Sequence, residues 1–121
     1  MSYGILLVSH VKEIPEGLKK LIKQVAPDVP ITTAGGLISG EVGTDVNLIL
    51  KAVADNPADN LLAFYDLGSA MMNLELAQDM TEKDVKINDV AFVEGAYTAA
   101  ALLQADADIN DIEAQLKDLK K

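Results

Sequence analysis

The segment Ile5-Leu6-Leu7-Val8-Ser9-His10 decides the fold, because four consecutive apolar residues run directly into two polar ones. A short, continuous apolar run is typical of a strand buried on both faces of a parallel sheet. Working outward along the chain, three more stretches predict strands: residues 29–33, residues 61–65, and a strand within residues 85–92 that is weakened near Asn88-Asp89.

Helical patterns follow each of these strands. The predicted helices cover residues 18–25, 46–53, 70–80, 94–105 and 109–119. Thr44 or Asp45 is expected to cap the second helix, and Asp108 the last. The alternation of strands and helices predicts an α/β fold with an open parallel four-stranded sheet, order 2-1-3-4, and helices on both faces. Residues 1–121 are expected to form one domain.

The composition excludes several classes of function. The formal net charge of -9 and the absence of arginine argue against a nucleic-acid partner, which would need clustered basic residues. Without cysteine, disulfides and cysteine-based metal sites are excluded. No apolar run approaches the ~20 residues that a membrane span requires, and the N-terminus does not resemble a secretory signal. We therefore expect a cytoplasmic protein that does not enter the membrane.

Polar and glycine residues collect where the predicted strands end. In open parallel sheets, sites form beyond the carboxyl ends of the strands, at the point where strand order reverses. In the order 2-1-3-4, the first and third strands flank that point, so His10 and Asp66 should face each other. The segments at the four ends are Ser9-His10, Ala34-Gly35-Gly36, Asp66-Leu67-Gly68-Ser69 and Glu94-Gly95.

His10, the only histidine, is the candidate nucleophile. If Asp66 accepts a hydrogen bond from one nitrogen of a neutral imidazole, the other nitrogen keeps an outward lone pair. Many histidines serve no catalytic purpose, and a surface or packing role for His10 is the competing interpretation.

A phosphate site is expected beside His10. The free N–H groups of a helix that begins near Gly68 and Ser69 favour an anion, and Thr44 is a further hydroxyl donor. A tight turn at Gly68 and a simple N-cap at Ser69 are the alternatives. Zinc sites need three or four ligands and this chain has one imidazole, so we expect no metal at His10. Mg²⁺ at Asp66, Asp45 or Glu94 stays open, although a capping role is favoured for Asp45.

Five segments in order resemble one family, the phosphotransfer subunits (DhaM) of phosphoenolpyruvate-dependent dihydroxyacetone kinases, which are similar to the mannose-type IIA domains of the bacterial sugar phosphotransferase system (PTS). The resemblance covers nearly the whole chain. Where relatives often carry a small residue after the histidine, this chain has Val11. The segments are Val8-Ser9-His10, Thr33-Ala34-Gly35-Gly36, Gly43-Thr44-Asp45, Asp66-Leu67-Gly68-Ser69-Ala70 and Val93-Glu94-Gly95.

The resemblance implies a phosphoryl carrier of glycerol metabolism. The phosphocarrier protein HPr would phosphorylate His10 at Nε2, and the group would pass to ADP held as a cofactor on the partner DhaL. DhaL with DhaK would then phosphorylate dihydroxyacetone, although a mannose-type pathway would instead end in a hexose. This chain would bind no cofactor itself and would form a homodimer. Some relatives carry fused HPr-like and enzyme I-like domains, whereas this chain would depend on free HPr.

The resemblance also implies roles for individual residues. Asp66 would orient the imidazole of His10, while Thr44, Gly68 and Ser69 would line the phosphate position. Gly35 and Gly36 would form the loop next to them.

Two other functions are compatible with the fold. A receiver-like signalling domain would be phosphorylated on Asp66, but the first strand ends in Ser9-His10 instead of an acidic pair that could hold Mg²⁺. A non-enzymatic assembly module would leave His10 merely exposed. A flavodoxin-like domain is disfavoured because few aromatic residues are available to sandwich a flavin.

Overall fold

A four-stranded parallel sheet forms the centre of the structure, a computed structural model that describes residues 2–121. The strand order β2-β1-β3-β4 confirms the predicted topology. Val8 near the end of β1 lies opposite Ala34 of β2 and Tyr65 of β3, so three strands end at one edge of the sheet. The strands are β1 (Tyr3–Ser9), β2 (Ile31–Gly35), β3 (Asn60–Tyr65) and β4 (Asp84–Asn88).

Helices cover both faces of the sheet, as predicted. One face packs against the first, fourth and fifth helices, and the other against the second and third. The helices are α1 (Glu13–Lys23), α2 (Val46–Asp55), α3 (Ser69–Met80), α4 (Phe92–Gln104) and α5 (Ile109–Lys117).

β1 is buried between these two layers. Ile5 and Leu7 pack into the layer of α1, α4 and α5, whereas Leu6 and Val8 pack into the layer of α2 and α3. All four side chains are fully buried. The unbroken apolar run at the start of the sequence therefore reflects a strand with no solvent-facing side.

The predicted helix caps are confirmed. The Asp45 carboxylate accepts a hydrogen bond of 2.8 Å from the N–H of Asn47 at the start of α2. Asp108 accepts an equivalent bond of 2.8 Å from the N–H of Asn110 at the start of α5. Each cap satisfies one of the N–H groups that a helix leaves unpaired at its beginning.

The prediction that Glu94-Gly95 directly follows the fourth strand was wrong, although the weakening predicted near Asn88-Asp89 is where the strand ends. β4 ends at Asn88, and Glu94-Gly95 lies in the first turn of α4 instead of at a strand end. Asn88 and Asp89 have low strand propensity, and the chain turns away from the sheet there. Gly95 has a packing role, because a Cβ at this position would lie 2.4 Å from Cγ2 of Val90.

The buried face of α1 contains fewer apolar residues than the helical spacing of the sequence predicts. Leu18 and Ile22 are buried, whereas Leu21 is 55% exposed. Val25, 42% exposed, lies beyond the end of the helix.

Within residues 2–121, no helix combines the length and apolar character needed to cross a bilayer.

We predict that Gly35→Ala destabilises the fold by about 1–3 kcal/mol, the usual cost of overpacking. An added Cβ would lie 2.8 Å from Cα of Lys12 and 2.9 Å from both Cγ of Pro15 and the carbonyl oxygen of Val11. Gly17→Ala is the matched control, because Gly17 lies in α1 with nothing within 4 Å of the added atom. It should stabilise the protein by about 0.5–1 kcal/mol through helix propensity. Urea unfolding measures both changes, and equal stabilities would contradict the packing at Gly35.

Candidate functional site

His10 lies directly after β1 and faces Asp66, the residue that follows β3. The ring Nδ1 lies 2.9 Å from Oδ1 of Asp66, and Nε2 lies 2.7 Å from Oγ of Ser69. The expected juxtaposition of His10 and Asp66 is therefore observed. It follows from topology, because β1 and β3 are parallel neighbours whose carboxyl ends meet.

The contact with Asp66 defines the tautomer of the neutral ring. An ionised carboxylate only accepts hydrogen bonds, so Nδ1 of His10 carries the proton that it donates to Asp66. In the neutral imidazole, Nε2 then holds a lone pair and accepts from the hydroxyl of Ser69. The His10 side chain keeps 14% of its surface exposed, with Nε2 on the solvent side of the ring. The arrangement places a nucleophilic nitrogen at the surface.

The Asp66 carboxylate accepts four hydrogen bonds. Oδ1 accepts from Nδ1 of His10 and, at 2.7 Å, from the N–H of Leu67. Oδ2 accepts from the N–H of His10 at 3.0 Å and from the hydroxyl of Ser9 at 2.8 Å. Burial opposes ionisation, but the hydrogen bonds outweigh it and hold the pKa of Asp66 below its ordinary value.

Ser9 belongs to this site although the sequence analysis gave it no role. Its side chain is fully buried, and its hydroxyl donates to Asp66 while accepting from the N–H of Val11 at 3.1 Å. The available signal was a hydroxyl residue at the end of an otherwise apolar buried strand. A buried hydroxyl needs partners, and the facing carboxylate was the obvious one.

The loop after β2 fixes the backbone of the same segment. The carbonyl of Ser9 accepts from the N–H of Gly36 at 3.1 Å, and the carbonyl of His10 accepts from the N–H of Gly43 at 2.9 Å. Gly36 and Gly43 have φ values of 68° and 149°, which favour glycine. Gly36 therefore lies next to the site, with Gly35 packed beneath the chain that follows His10.

The start of α3 completes the site. Gly68 is the N-cap and already has helical dihedrals, and Ser69 is the first helical residue, so its hydroxyl is directed to His10 instead of capping the helix. Within residues 2–121, the N–H groups of Gly68 and Ser69 find no hydrogen-bond acceptor. Free N–H groups at a helix N-terminus favour an anion, here next to Nε2 of His10.

Thr44, which precedes α2 in the chain, contacts α3 one turn beyond Ser69. Its hydroxyl accepts from the side-chain amide of Asn73 at 2.7 Å, four residues after Ser69 on the same helix. The structure thus groups His10, Asp66, Ser69 and Gly68, and it connects Thr44 to the next turn of α3.

Within residues 2–121, neither of the other acidic candidates forms a hydrogen bond or an ion pair with the His10 side chain. Asp45 caps α2, and Glu94 is exposed in the first turn of α4. In the described part of the chain, no three histidine, aspartate or glutamate side chains come together in a way that could hold a metal ion.

Comparison with known proteins places this site in a family. Residues 4–113 match the family EIIA-man, described as "PTS system fructose IIA component". The chain belongs to the EIIA-man family. It is 52% identical over 117 residues to the phosphotransferase subunit DhaM of the PTS-dependent dihydroxyacetone kinase of Lactococcus lactis, a match covering 97% of this chain and 95% of the relative.

Two further proteins are similar over nearly the whole chain. DhaM of dihydroxyacetone kinase 1 from Listeria innocua is 41% identical over 118 residues, covering 98% of this chain and 95% of its own. A crystal structure of a protein of unknown function, EF1359, superposes with a TM-score of 0.86 at 35% identity and covers 100% of this chain and 97% of that protein. The EIIA-man assignment therefore rests on the whole chain, including the strand ends that carry His10 and Asp66.

The surface of this EIIA-man domain around His10 is apolar and open. Leu67 follows Asp66, Met72 lies in the first turn of α3, and Val42 precedes Gly43; these three side chains are 59%, 76% and 72% exposed. Cavities of about 670 and 630 Å³ lie elsewhere and are not lined by His10. Exposed apolar groups around a shallow site are typical of surfaces that receive a protein.

We predict that Ser9→Ala raises the pKa of Asp66 toward its ordinary value, because the carboxylate loses one of its four donors. Since folding lowers this pKa, the stability that Asp66 contributes is present above about pH 4 and is lost as pH falls through the folded pKa. The stability difference between wild type and variant should therefore be largest near neutral pH. NMR titration of the Asp66 carboxyl carbon measures the shift directly.

Ser39→Ala is the control for this experiment, because its hydroxyl contacts only exposed Glu41 and its own loop. That variant should leave the titration of Asp66 unchanged. An unchanged Asp66 titration in Ser9→Ala would show that the Ser9 hydroxyl does not support the carboxylate.

Proposed function

We propose that this chain is the phosphoryl-carrying subunit of a phosphoenolpyruvate-dependent dihydroxyacetone kinase. His10 takes a phosphoryl group from phosphorylated HPr and passes it to ADP held on DhaL, which with DhaK phosphorylates dihydroxyacetone. The observation that carries the proposal is the hydrogen-bonded row Asp66–His10–Ser69, which leaves Nε2 unprotonated and directs its lone pair at the hydroxyl of the exposed Ser69, which an incoming phosphoryl group would displace. The curated relatives named DhaM support the same assignment.

The first transfer needs only the groups at this site. The lone pair of Nε2 forms a bond to phosphorus while the N–P bond of the donor histidine breaks, and the donor nitrogen keeps that electron pair. The proton on Nδ1 stays between His10 and Asp66, and the carboxylate offsets the positive charge that the ring gains. The hydroxyl of Ser69 is then free to donate to a phosphoryl oxygen.

The second transfer reverses these changes. The Nε2–P bond breaks, its electron pair returns to Nε2, and a terminal oxygen of ADP bonds phosphorus to give ATP on the partner. Phosphoryl transfer passes through a loose transition state, so alignment and charge neutralisation provide most of the catalysis. The unpaired N–H groups of Gly68 and Ser69 supply part of that neutralisation at the start of α3.

Partner proteins fit the site better than a small substrate does. His10 lies on an open surface bordered by Leu67, Met72 and Val42, which an incoming HPr or DhaL would cover. Covering these residues would also exclude water from the N–P bond during transfer. We propose that the reaction takes place in the cytoplasm and that the chain acts as a homodimer.

The receiver-like alternative is disfavoured by the state of Asp66. An acyl phosphate needs a free carboxylate oxygen, but each oxygen of Asp66 already accepts two hydrogen bonds. Phosphorylation there would break the contacts that hold His10. The carboxylate is arranged to support a neighbouring group.

We expect labelled phosphoenolpyruvate, with enzyme I and HPr, to label this protein on His10. The label should be lost in acid and retained in base, as for an N–P bond, and His10→Ala should carry none. A base-labile label would favour an acyl phosphate on Asp66 instead. Full labelling of His10→Ala would contradict the proposal, and no labelling by any phosphodonor would favour an assembly module.

Asp66→Asn should slow phosphorylation of His10 by roughly 10²-fold, the scale of loss for a misaligned reacting group. An amide can donate to the ring, and it would thereby favour the wrong tautomer. Ser69→Ala should cost less, about tenfold, because its hydroxyl is exposed and only part of the phosphate site. Rapid-quench measurements of labelling give both rates, with Ser39→Ala as the matched serine control. A wild-type rate of labelling in Asp66→Asn would show that Asp66 does not orient His10.

A further inference from the structure

Lys121 makes an unusual set of contacts at the end of β3. Its ammonium donates to the carbonyl of Tyr65 at 2.9 Å and to the carbonyl of Asp66 at 3.1 Å. The same group lies 4.1 Å from the centroid of the Tyr65 ring. We propose that Lys121 is a positioning residue for phosphoryl transfer, which acts on His10 through Asp66; this inference rests on the proposed function.

Lys121 lies where β4 no longer pairs with β3. The last pair between β3 and β4 joins Phe64 and Asn88, so β4 offers no partner to the carbonyls that follow. Lys121 takes that place with a charged donor, and a charge-assisted hydrogen bond is stronger than a neutral one. Two carbonyls and an aromatic face replace part of the water around an ammonium group that is normally well hydrated.

The backbone also fixes Lys121. Its N–H donates to the carbonyl of Asp89 at 3.2 Å, the N–H of Ala91 donates to the carbonyl of Leu119 at 2.9 Å, and Lys120 forms an antiparallel bridge with Val90. The side chain of Asp89 meanwhile accepts from the hydroxyl of Tyr65 at 2.8 Å. Burial and this contact raise the pKa of Tyr65 to about 12, so the ring beneath Lys121 stays neutral. Hydrogen bonds thus hold both the backbone of Lys121 and its ammonium group.

Asp66 is consequently fixed on two sides. Its carboxylate is held by donors from Ser9, His10 and Leu67, and its carbonyl by Lys121. Without the second contact, the peptide after β3 could rotate and change the direction from which the carboxylate meets Nδ1 of His10. A phosphoryl group on Nε2 would add about two negative charges. The ammonium of Lys121, bound to the carbonyl of Asp66, would offset part of the repulsion between that group and the Asp66 carboxylate.

The test is single-turnover phosphorylation by phospho-HPr, with Lys121→Gln compared with wild type. We expect the maximal rate to fall about fivefold, since alignment is lost, with the apparent affinity for the donor changed by less than about twofold. Lys121→Arg keeps charge and donors and should recover most of the rate. Lys120→Gln, beside it in the same bridge, should behave as wild type.

A second readout does not need the phosphodonor. Nitrogen NMR of the His10 ring in the unphosphorylated protein reports its tautomers, and Lys121→Gln should reduce the Nδ1-protonated form relative to wild type and Lys120→Gln. A role confined to stability would lower the unfolding temperature and leave the tautomers unchanged. Unchanged rate and tautomers in Lys121→Gln, equal losses in Lys120→Gln, or an equal loss in Lys121→Arg would overturn the inference.

The two proposals fail in different ways. If wild type accepts no phosphoryl group from HPr, the proposed function fails, while the tautomer measurement still tests the effect of Lys121 on Asp66 and His10. If wild type is phosphorylated and Lys121→Gln matches it in both readouts, only the inference about Lys121 fails.

Discussion

The hydrogen bonds to the Asp66 carboxylate are the interaction on which the site depends. They join the ends of β1 and β3 through Ser9 and His10, and they join β3 to the start of α3 through Leu67. A carboxylate with four donors stays ionised, and only an ionised carboxylate defines the tautomer of the ring. The same contacts therefore fix a local structure and leave Nε2 unprotonated, with its electron pair directed at the hydroxyl of Ser69.

The charge balance of the chain suits a carrier better than a tight phosphate binder. With a formal net charge of -9 and no arginine, the chain lacks the bidentate donors that clamp phosphate strongly. The groups beside Nε2 are a hydroxyl and helix N–H groups, which in the proposed function would align a phosphoryl group with partial charges. A carrier that stabilised its phosphorylated form more strongly would raise the barrier to the next transfer.

Much of this arrangement could be predicted because topology converts sequence order into proximity. The alternation of strands and helices was enough to place His10 opposite Asp66, 56 residues away in the chain. The error at Glu94 came from extending the fourth strand past Asn88, where the strand ends because the chain turns to pair with residues 119–121. Ser9 and Lys121 were missed for a different reason. For Ser9 the signal was its position, as a hydroxyl residue at the end of a buried apolar strand, whereas the role of Lys121 depends on which atoms its side chain contacts and has no signal in the sequence.

The proposed phosphoryl transfer gives a physical reason for the position of His10 at the end of β1. In the proposed transfer, two proteins reach the phosphoryl group in turn from outside, so His10 has to lie where a strand emerges. An exposed ring would lose its orientation unless other groups restrained it. Here Gly36 and Gly43 hold the backbone of Ser9 and His10, while Asp66 holds the ring itself. Restraint of the backbone and the ring from within the protein, combined with access from solvent, would let one histidine serve both proposed partners without a pocket shaped for either.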